Sequence, residues 1–301
     1  MKYSVVIPVH NESATIVPLI SEIKSVMQPL GSYEILVIDD GSTDATLPLV
    51  QSLSVKTFSF TKNYGQSAAL QCGFDHAKGD IIITLDGDGQ NDPRDIPRML
   101  SALDLFDAVA GWRAQRRDGV SKVIASRLMW FMRYIVLQDP LRDAGCGLKV
   151  MKQHCLQNIE IYGELHRFIL ELVAMKGYRV SEVPVRHRPR RGGKTHYSNL
   201  DRAIKGNLDL FMVWFWKKYA GRPLHILGFG GFLFFVVGSL IGVYAVYLKF
   251  ILDKDLSNSV FPLLSVFLLL AGIQFVTAGL LFDIVIRNYY RDKPRYELRT
   301  L

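Results

Sequence analysis

A unit that recurs through the first 110 residues limits what this chain can fold into. It is a short apolar run, a polar turn and a helical pattern. Apolar runs at 4–7, 34–38, 55–60 and 81–85 each end in such a turn, and helix-spaced apolar residues follow each one. Strands alternating with helices predict βαβ units and a mostly parallel α/β sheet with helices on both faces. The expected helices are 14–27 with Ser13 as N-cap, 45–53 capped by Thr43 or Asp44, 66–77 and 92–105. Further strands are expected at 106–110, 148–151 and 178–185, with a helix at 164–176. Pro184 marks the last strand as an edge.

In open sheets of this kind, ligands bind outside the carboxyl ends of the strands. Glu12, Asp40, Asp86 and Asp88 all fall at such ends. The fourth run is the sharpest: Ile81-Ile82-Ile83-Thr84-Leu85 leads into Asp86-Gly87-Asp88-Gly89-Gln90. Side chains at i and i+2 of an extended segment point the same way, so Asp86 and Asp88 converge just past the strand. Two carboxylates and the Gln90 amide suit a hard divalent cation, completed by phosphate and water. A polar turn with solvated acids is the competing reading. No G-x-G-x-x-G follows the first strand and no G-x-x-x-x-G-K-[ST] occurs, which disfavours a dinucleotide site and a P-loop.

The net charge of +8 suits a phosphate-rich substrate, an anionic membrane surface or nucleic acid. The basic excess clusters after the strand-rich region. Arg113, Arg116, Arg117, Lys122, Arg127 and Arg133 interleave with apolar residues from Val120 onward. That stretch reads as a membrane-interface helix or as a core-facing helix with a solvated face. A second basic run, 186–197, carries Arg190, Arg191, Gly192, Gly193 and Lys194; it fits a loop closing on a diphosphate or a nucleic-acid patch. Asp143, in a glycine-bearing turn, reads as a catalytic or a turn-capping acid. His166, at a helix start, reads as a core, surface or functional histidine. Cys72, Cys146 and Cys155 lack metal-type spacing and indicate no disulfide framework, so a reducing compartment is expected.

The last third differs in kind. Residues 226–250 and 261–286 are apolar runs, each longer than the roughly 20 residues that cross a bilayer. Residues 208–216, with Trp214 and Trp216, read as an interfacial helix. Gln274 and Thr277 are expected to face a partner helix rather than lipid. Lys217, Lys218, Arg222, Arg287, Arg291, Lys293 and Arg295 flank the two runs on one side, so the positive-inside rule places the N-terminal domain and the C-terminus in the cytoplasm. With no signal peptide evident, these segments are the expected membrane anchor. They argue against a nucleic-acid partner. The expected organisation is an α/β domain at 1–200, an interfacial linker at 201–225, two spans within 226–286 (about 226–250 and 261–286) and a tail at 287–301.

The motifs Val6-Ile7-Pro8-Val9-His10-Asn11-Glu12, Asp39-Asp40-Gly41-Ser42-Thr43-Asp44, Asp86-Gly87-Asp88-Gly89-Gln90 with Asp92-Pro93, and the loop 190–197 occur in this order. In them the chain resembles an inverting family 2 glycosyltransferase with the GT-A fold. It is most similar to the dolichol-phosphate mannose synthase and bactoprenol-phosphate glycosyltransferase group. The resemblance implies that Pro8, His10, Glu12 and Asp40 hold the nucleotide base and ribose. It places Asp86 at the ribose and metal shell, with Asp88 and Gln90 on Mg2+ or Mn2+ at the diphosphate. Arg113 and Arg127 look like the arginines that receive the acceptor phosphate, and Arg191 and Lys194 like the loop that closes on the donor. Lys62 stands where the group usually has Arg, and Lys194-Thr195-His196-Tyr197 replaces its Arg-Ser-Lys-Tyr. The Q-x-x-R-W of processive relatives is absent, which disfavours polymerisation.

The implied reaction is inverting transfer of one sugar from a UDP- or GDP-sugar to polyprenyl phosphate. It would take place at the cytoplasmic face of the plasma (inner) membrane, or of the ER membrane in a eukaryote. Asp143 is a further candidate for orienting the acceptor or a basic side chain. A membrane glycosyltransferase acting on a glycan or protein is the alternative, and a non-catalytic scaffold a more distant one. A homo-oligomer is expected, because two spans enclose little area around a lipid.

Overall fold

The first run becomes β1 (Tyr3–Val9), whose seven residues are all buried, as a central strand covered on both faces requires. In the computed structural model, β1 pairs in parallel with β2 (Tyr33–Asp39) on one side and β4 (Ile81–Thr84) on the other. β3 (Lys56–Ser59) extends the sheet beyond β2. On the other side lie β5 (Ala108–Trp112), β6 (Lys149–Lys152) and β7 (Val180–Pro184), giving the order β3-β2-β1-β4-β6-β5-β7. β6 runs antiparallel to both β4 and β5, so the sheet is mixed but mostly parallel. β7 lies at the edge, where Pro184 removes no ladder hydrogen bond from a central position.

The structure describes residues 1–114, 141–143, 145–189, 212–215, 218, 223–257 and 259–289. The chain divides into two compact units, Met1–Val213 and Trp214–Leu301. The expected linker at 201–225 and tail at 287–301 lie largely outside the described residues. So does most of the arginine-rich stretch after Arg113.

In the first unit, α1 (Ile16–Met27) buries Ile16, Leu19, Ile20, Ile23 and Met27, the stripe its spacing predicts. It starts later than expected, and Ser13 is not its cap. Thr15 holds the N-cap position but makes no capping bond; its hydroxyl donates to the Gly87 carbonyl at 2.8 Å. The helix start is therefore tied to the loop after β4. α2 (Thr46–Gln51) follows Asp44, whose carboxylate accepts from the Thr46 N–H at 2.9 Å. α3 (Gln66–His76) lies so close to β1 that a Cβ on Gly73 would collide with the Val6 side chain. The pattern at 92–105 resolves into a 3-10 turn, Pro93–Asp95, capped by Asp92, and then α4 (Ile96–Ala102). The pattern at 164–176 resolves likewise, into the 3-10 turn Leu165–Phe168 and α5 (Ile169–Met175). β5 begins two residues later than expected; its ladder continues to Trp112, whose carbonyl accepts from the Val185 N–H at 2.8 Å.

The second unit is built on α6 (Pro223–Phe250) and α7 (Phe261–Tyr289), each long and apolar enough to cross a membrane. They pack antiparallel through small residues. A Cβ on Gly231 would lie 2.7 Å from the Gly272 carbonyl oxygen, and one on Gly272 equally close to that of Gly231. Ser265 donates to the Gly238 carbonyl at 2.7 Å. Gln274 and Thr277, expected to face a partner helix, are both exposed, so α6 is not that partner. The glycine and serine seam occupies the contact face, and polarity at 274 and 277 falls on the other side.

Candidate active site

The carboxyl end of β4 carries the site. β4 stops at Thr84, Leu85 is fully buried, and the chain turns through Gly89 at φ +70°. Asp86 and Asp88 follow on this turn, both half-buried. The Asp86 carboxylate accepts from the Gln66 side-chain amide at 2.8 Å, from the first residue of α3. A Cβ on Gly147 would run into the Asp86 carboxyl group, so this position is closed to any larger residue while Asp86 stays put. Burial, together with the neighbouring Asp88 charge, pushes the Asp86 carboxyl up to about 6, against the pull of Lys149 and Arg113. Asp88 accepts from the Gln90 backbone N–H at 3.0 Å.

These residues fit a divalent cation. Two carboxylates sit close enough to oppose each other's ionisation, and one cation between them would relieve that opposition. Among the described residues no third His, Cys, Asp or Glu joins them. A cation held by this pair of acids would need its remaining coordination positions filled by neutral amides, phosphate oxygens and water.

Beside Asp86 lies a cavity of about 160 Å³, lined among others by Gln66, Thr84, Gly147, Lys149 and His166. Lys149 is 5% exposed, and its ammonium bonds the Cys146 carbonyl. His166 is clamped by Ser67, whose hydroxyl oxygen accepts from the His166 backbone N–H at 3.1 Å and lies 3.0 Å from Nδ1. With that oxygen already accepting, donation of the hydroxyl proton to Nδ1 satisfies both groups and leaves the ring proton on Nε2. Burial, then the charges of Arg167 and Lys149, push His166 down to about 3, so it is neutral at physiological pH.

Arg113 follows β5 and is held by a two-pronged ion pair with Asp143: Nε to Oδ2 at 2.7 Å and Nη2 to Oδ1 at 2.8 Å. Burial would lower the guanidinium pKa, but the Asp143 carboxylate holds it above its ordinary value. Asp143 is itself placed by its backbone N–H, which donates to Glu182 at 2.7 Å. The Asp143 carboxylate is thus engaged with the Arg113 guanidinium through both oxygens.

On the other side of β1, His10 Nδ1 lies 2.8 Å from the Asp40 carbonyl oxygen. The Asp40 carboxylate accepts from the backbone N–H groups of Tyr64 and Gly65, at 2.7 and 2.9 Å. Its immediate work is to fix the turn that carries Lys62. Pro8 is buried in β1 and Glu12 is half-buried in the next turn, whose N–H groups bond Thr46 and Asp44. Arg127, Arg191 and Lys194 lie outside the described residues. The stem of their loop is described. The Arg188 N–H donates to the Gln90 carbonyl at 2.8 Å, and Asn91 bridges to His187. The Arg188 guanidinium pairs with Asp92 at 2.8 Å and Glu22 at 2.7 Å. The basic run therefore departs from the loop that carries Asp86 and Asp88, and Arg188 serves as its anchor.

Sequence reasoning passed over Gln66, Ser67, Thr15 and Lys149. Only Lys149 left a trace, as a charge inside an expected short strand; the others are ordinary helix-start residues until α1 and α3 are brought to the rim of β4.

The mixed sheet in this order, with acids rather than glycines at its rim, sets the chain apart from the glycine-rich dinucleotide-binding sheets. The chain belongs to Glycosyl transferase family 2, whose profile its residues 4–159 match, and it is a glycosyltransferase. It is 35% identical over 317 residues to a dodecaprenyl-phosphate galacturonate synthase of Rhizobium johnstonii, covering 100% of this chain and 93% of that protein. It is 33% identical over 306 residues to an undecaprenyl-phosphate 4-deoxy-4-formamido-L-arabinose transferase of Salmonella paratyphi B, covering 98% and 92%. Among solved structures, glucosyl-3-phosphoglycerate synthase of Mycobacterium tuberculosis, in complex with Mn2+, UDP and phosphoglyceric acid, shares the fold. Its TM-score is 0.56 at 21% identity, over 72% of this chain and 78% of that one.

Proposed function

We propose that this protein transfers a single sugar from a nucleotide-diphosphate sugar to polyprenyl phosphate at the cytoplasmic face of the membrane, with inversion at the anomeric carbon. The observation that carries the reading is the Asp86–Asp88 pair at the end of β4, in a chain similar along its length to two polyprenyl-phosphate sugar transferases. UDP is the favoured donor nucleotide and Mn2+ the favoured ion over GDP and Mg2+, since the solved relative in fold holds UDP with Mn2+. The two apolar helices serve as membrane spans, with the N-terminal domain and C-terminus on the cytoplasmic side, and the protein works as a homo-oligomer.

In this reading Asp86, Asp88 and Gln90 hold the cation. When bound, it offsets the negative charge that builds on the departing diphosphate. Gln66 keeps the Asp86 carboxylate turned to the rim. His10, Glu12 and the turn fixed by Asp40 bound the nucleotide base and ribose, with Pro8 shaping that wall. The cavity beside Asp86 takes the sugar, with neutral His166 as a hydrogen-bond donor to it and Lys149 as a fixed charge beneath. Arg113, held by Asp143, presents its remaining N–H groups to the acceptor phosphate together with Arg127. Arg191 and Lys194 close on the donor diphosphate. A phosphate oxygen of the lipid forms the new bond to the anomeric carbon as the bond to the donor phosphate breaks; the nucleoside diphosphate leaves with the electron pair. The acceptor is already anionic, so no strong general base is needed.

A donor screen tests this. Purified full-length protein in lipid, with Mn2+ and polyprenyl phosphate, is offered individual UDP- and GDP-sugars, and products are weighed by mass spectrometry. A polyprenyl-phosphate monosaccharide from one donor is the expected result. Sugar transfer to a glycan or protein, with no lipid product from any donor, would overturn it.

A further inference from the structure

The small α7 residues that meet α6, Ser265, Gly272 and Gly279, recur every seven positions and centre a seam flanked by Leu268, Phe275 and Val276. At about 100° per residue, Gln274 lies about 200° around the helix from Gly272, on the opposite side. It is exposed, and among the described residues no hydrogen bond reaches its amide. Leu270, Thr277 and Leu281 are exposed on the same side. Thr277 differs from Gln274 because its hydroxyl donates to the Ile273 carbonyl one turn back. Gln274 stands midway along the 26-residue apolar segment Phe261–Ile286, where its side chain is too short to reach either interface.

An unsatisfied primary amide is disfavoured in hydrocarbon and draws a hydrogen-bonding partner to it. A carboxamide carries donor and acceptor together, so it is complementary to itself. Two copies inserted with the same topology are related by rotation about the membrane normal. That rotation sets every residue at the depth of its own counterpart. A foreign helix would have to match this depth by coincidence, whereas a second copy matches it by symmetry. We infer that the α7 face centred on Gln274 is the contact between two copies of this chain in the membrane, with the Gln274 amides bonded reciprocally across a two-fold axis. The inference rests on the proposed spanning role of α6 and α7, and it gives the expected homo-oligomer a specific surface.

The test uses the full-length chain in membranes, with Cys72→Ser to remove the accessible native thiol. Under oxidant, Gln274→Cys is expected to give a disulfide-linked dimer of twice the chain mass. Leu268→Cys, on the side packed against Gly238, is expected to give none. In the Cys72→Ser chain without further change, Gln274→Leu should weaken self-association, read by energy transfer between labelled copies, by about 3- to 20-fold. Absence of the Gln274→Cys dimer, cross-linking to a different polypeptide, or unchanged self-association in Gln274→Leu would overturn the proposal. Alkaline carbonate extraction separates the two levels: release of the chain refutes spanning and this contact with it, while retention without cross-linking refutes the contact alone.

Discussion

At the residue scale, the carboxylates of β4 and the clamped histidine make different demands. Asp88→Asn keeps size and shape but removes a charge from the cation pair. Turnover is expected to fall by at least about 100-fold, with metal-dependent nucleotide binding lost in calorimetry and the melting temperature little changed. Full metal-dependent binding in that variant would remove Asp88 from the proposed site. His166 contributes in the opposite sense, by staying uncharged. Its folded pKa of about 3 lies below the ordinary value of 6.5, so in the window between them the unfolded chain binds the extra proton. Stability from this group is therefore complete above about pH 6.5 and is lost as pH falls toward 3, by at most about 1.4 kcal/mol per pH unit. His166→Gln should flatten that part of the acid-unfolding profile, followed by fluorescence in detergent. Asp86 and Asp88 were legible in the sequence as two acids one residue apart just past a buried run, although a turn rather than the strand's own period carries them. His166 was not, because its partner Ser67 is 99 positions away and only the packing of α3 brings them together.

At the scale of elements, the loop 145–147 and the stem of the basic run show how the sheet delivers function. Gly147→Ala adds one carbon where the Asp86 carboxyl group already lies. Displacement of that carboxylate should reduce transfer by about 10-fold or more with a stability loss of only about 1–3 kcal/mol. Denaturant unfolding and a turnover assay on the same sample separate the two effects. Arg188→Ala takes from Asp92, 5% exposed, its close guanidinium partner and leaves it only Arg186 at 4.0 Å. A loss of about 1–3 kcal/mol is expected in denaturant unfolding. The strand and helix periods marked these elements, but their ends moved by a few residues. The ends depend on caps such as Asp92 and on ladder partners such as Trp112 and Val185, which local patterning does not see.

At the scale of the whole molecule, the two apolar helices and the soluble-type unit are separate problems in solubility. Full-length protein is expected to stay with membranes through alkaline carbonate. Protease added to the cytoplasmic side should degrade the 1–213 unit, while protease on the far side should reach only the short 251–260 connection. Protection of the N-terminal unit from cytoplasmic protease would reverse the proposed sidedness. The length of the spans was readable at once, since about 1.5 Å per residue against a fixed bilayer thickness is arithmetic. Their facing surfaces were not. Gln274 and Thr277 were expected to face a partner helix, but α6 is not that helix, because close approach selected glycine and serine for the α6–α7 seam.

By itself, the sequence determined the alternating α/β plan, the acids at the strand ends, the membrane-length helices and the absence of a glycine-rich phosphate loop. Each of these follows from local period, length or residue chemistry. Only the tertiary structure decided that β6 runs antiparallel between β4 and β5, and that Asp143 grips Arg113. It also brought Gln66, Gly147, Lys149 and His166 around Asp86 and turned Gln274 away from α6. Those outcomes depend on contacts between residues far apart in the chain, whose energies exist only once the sheet and the helix pair have packed.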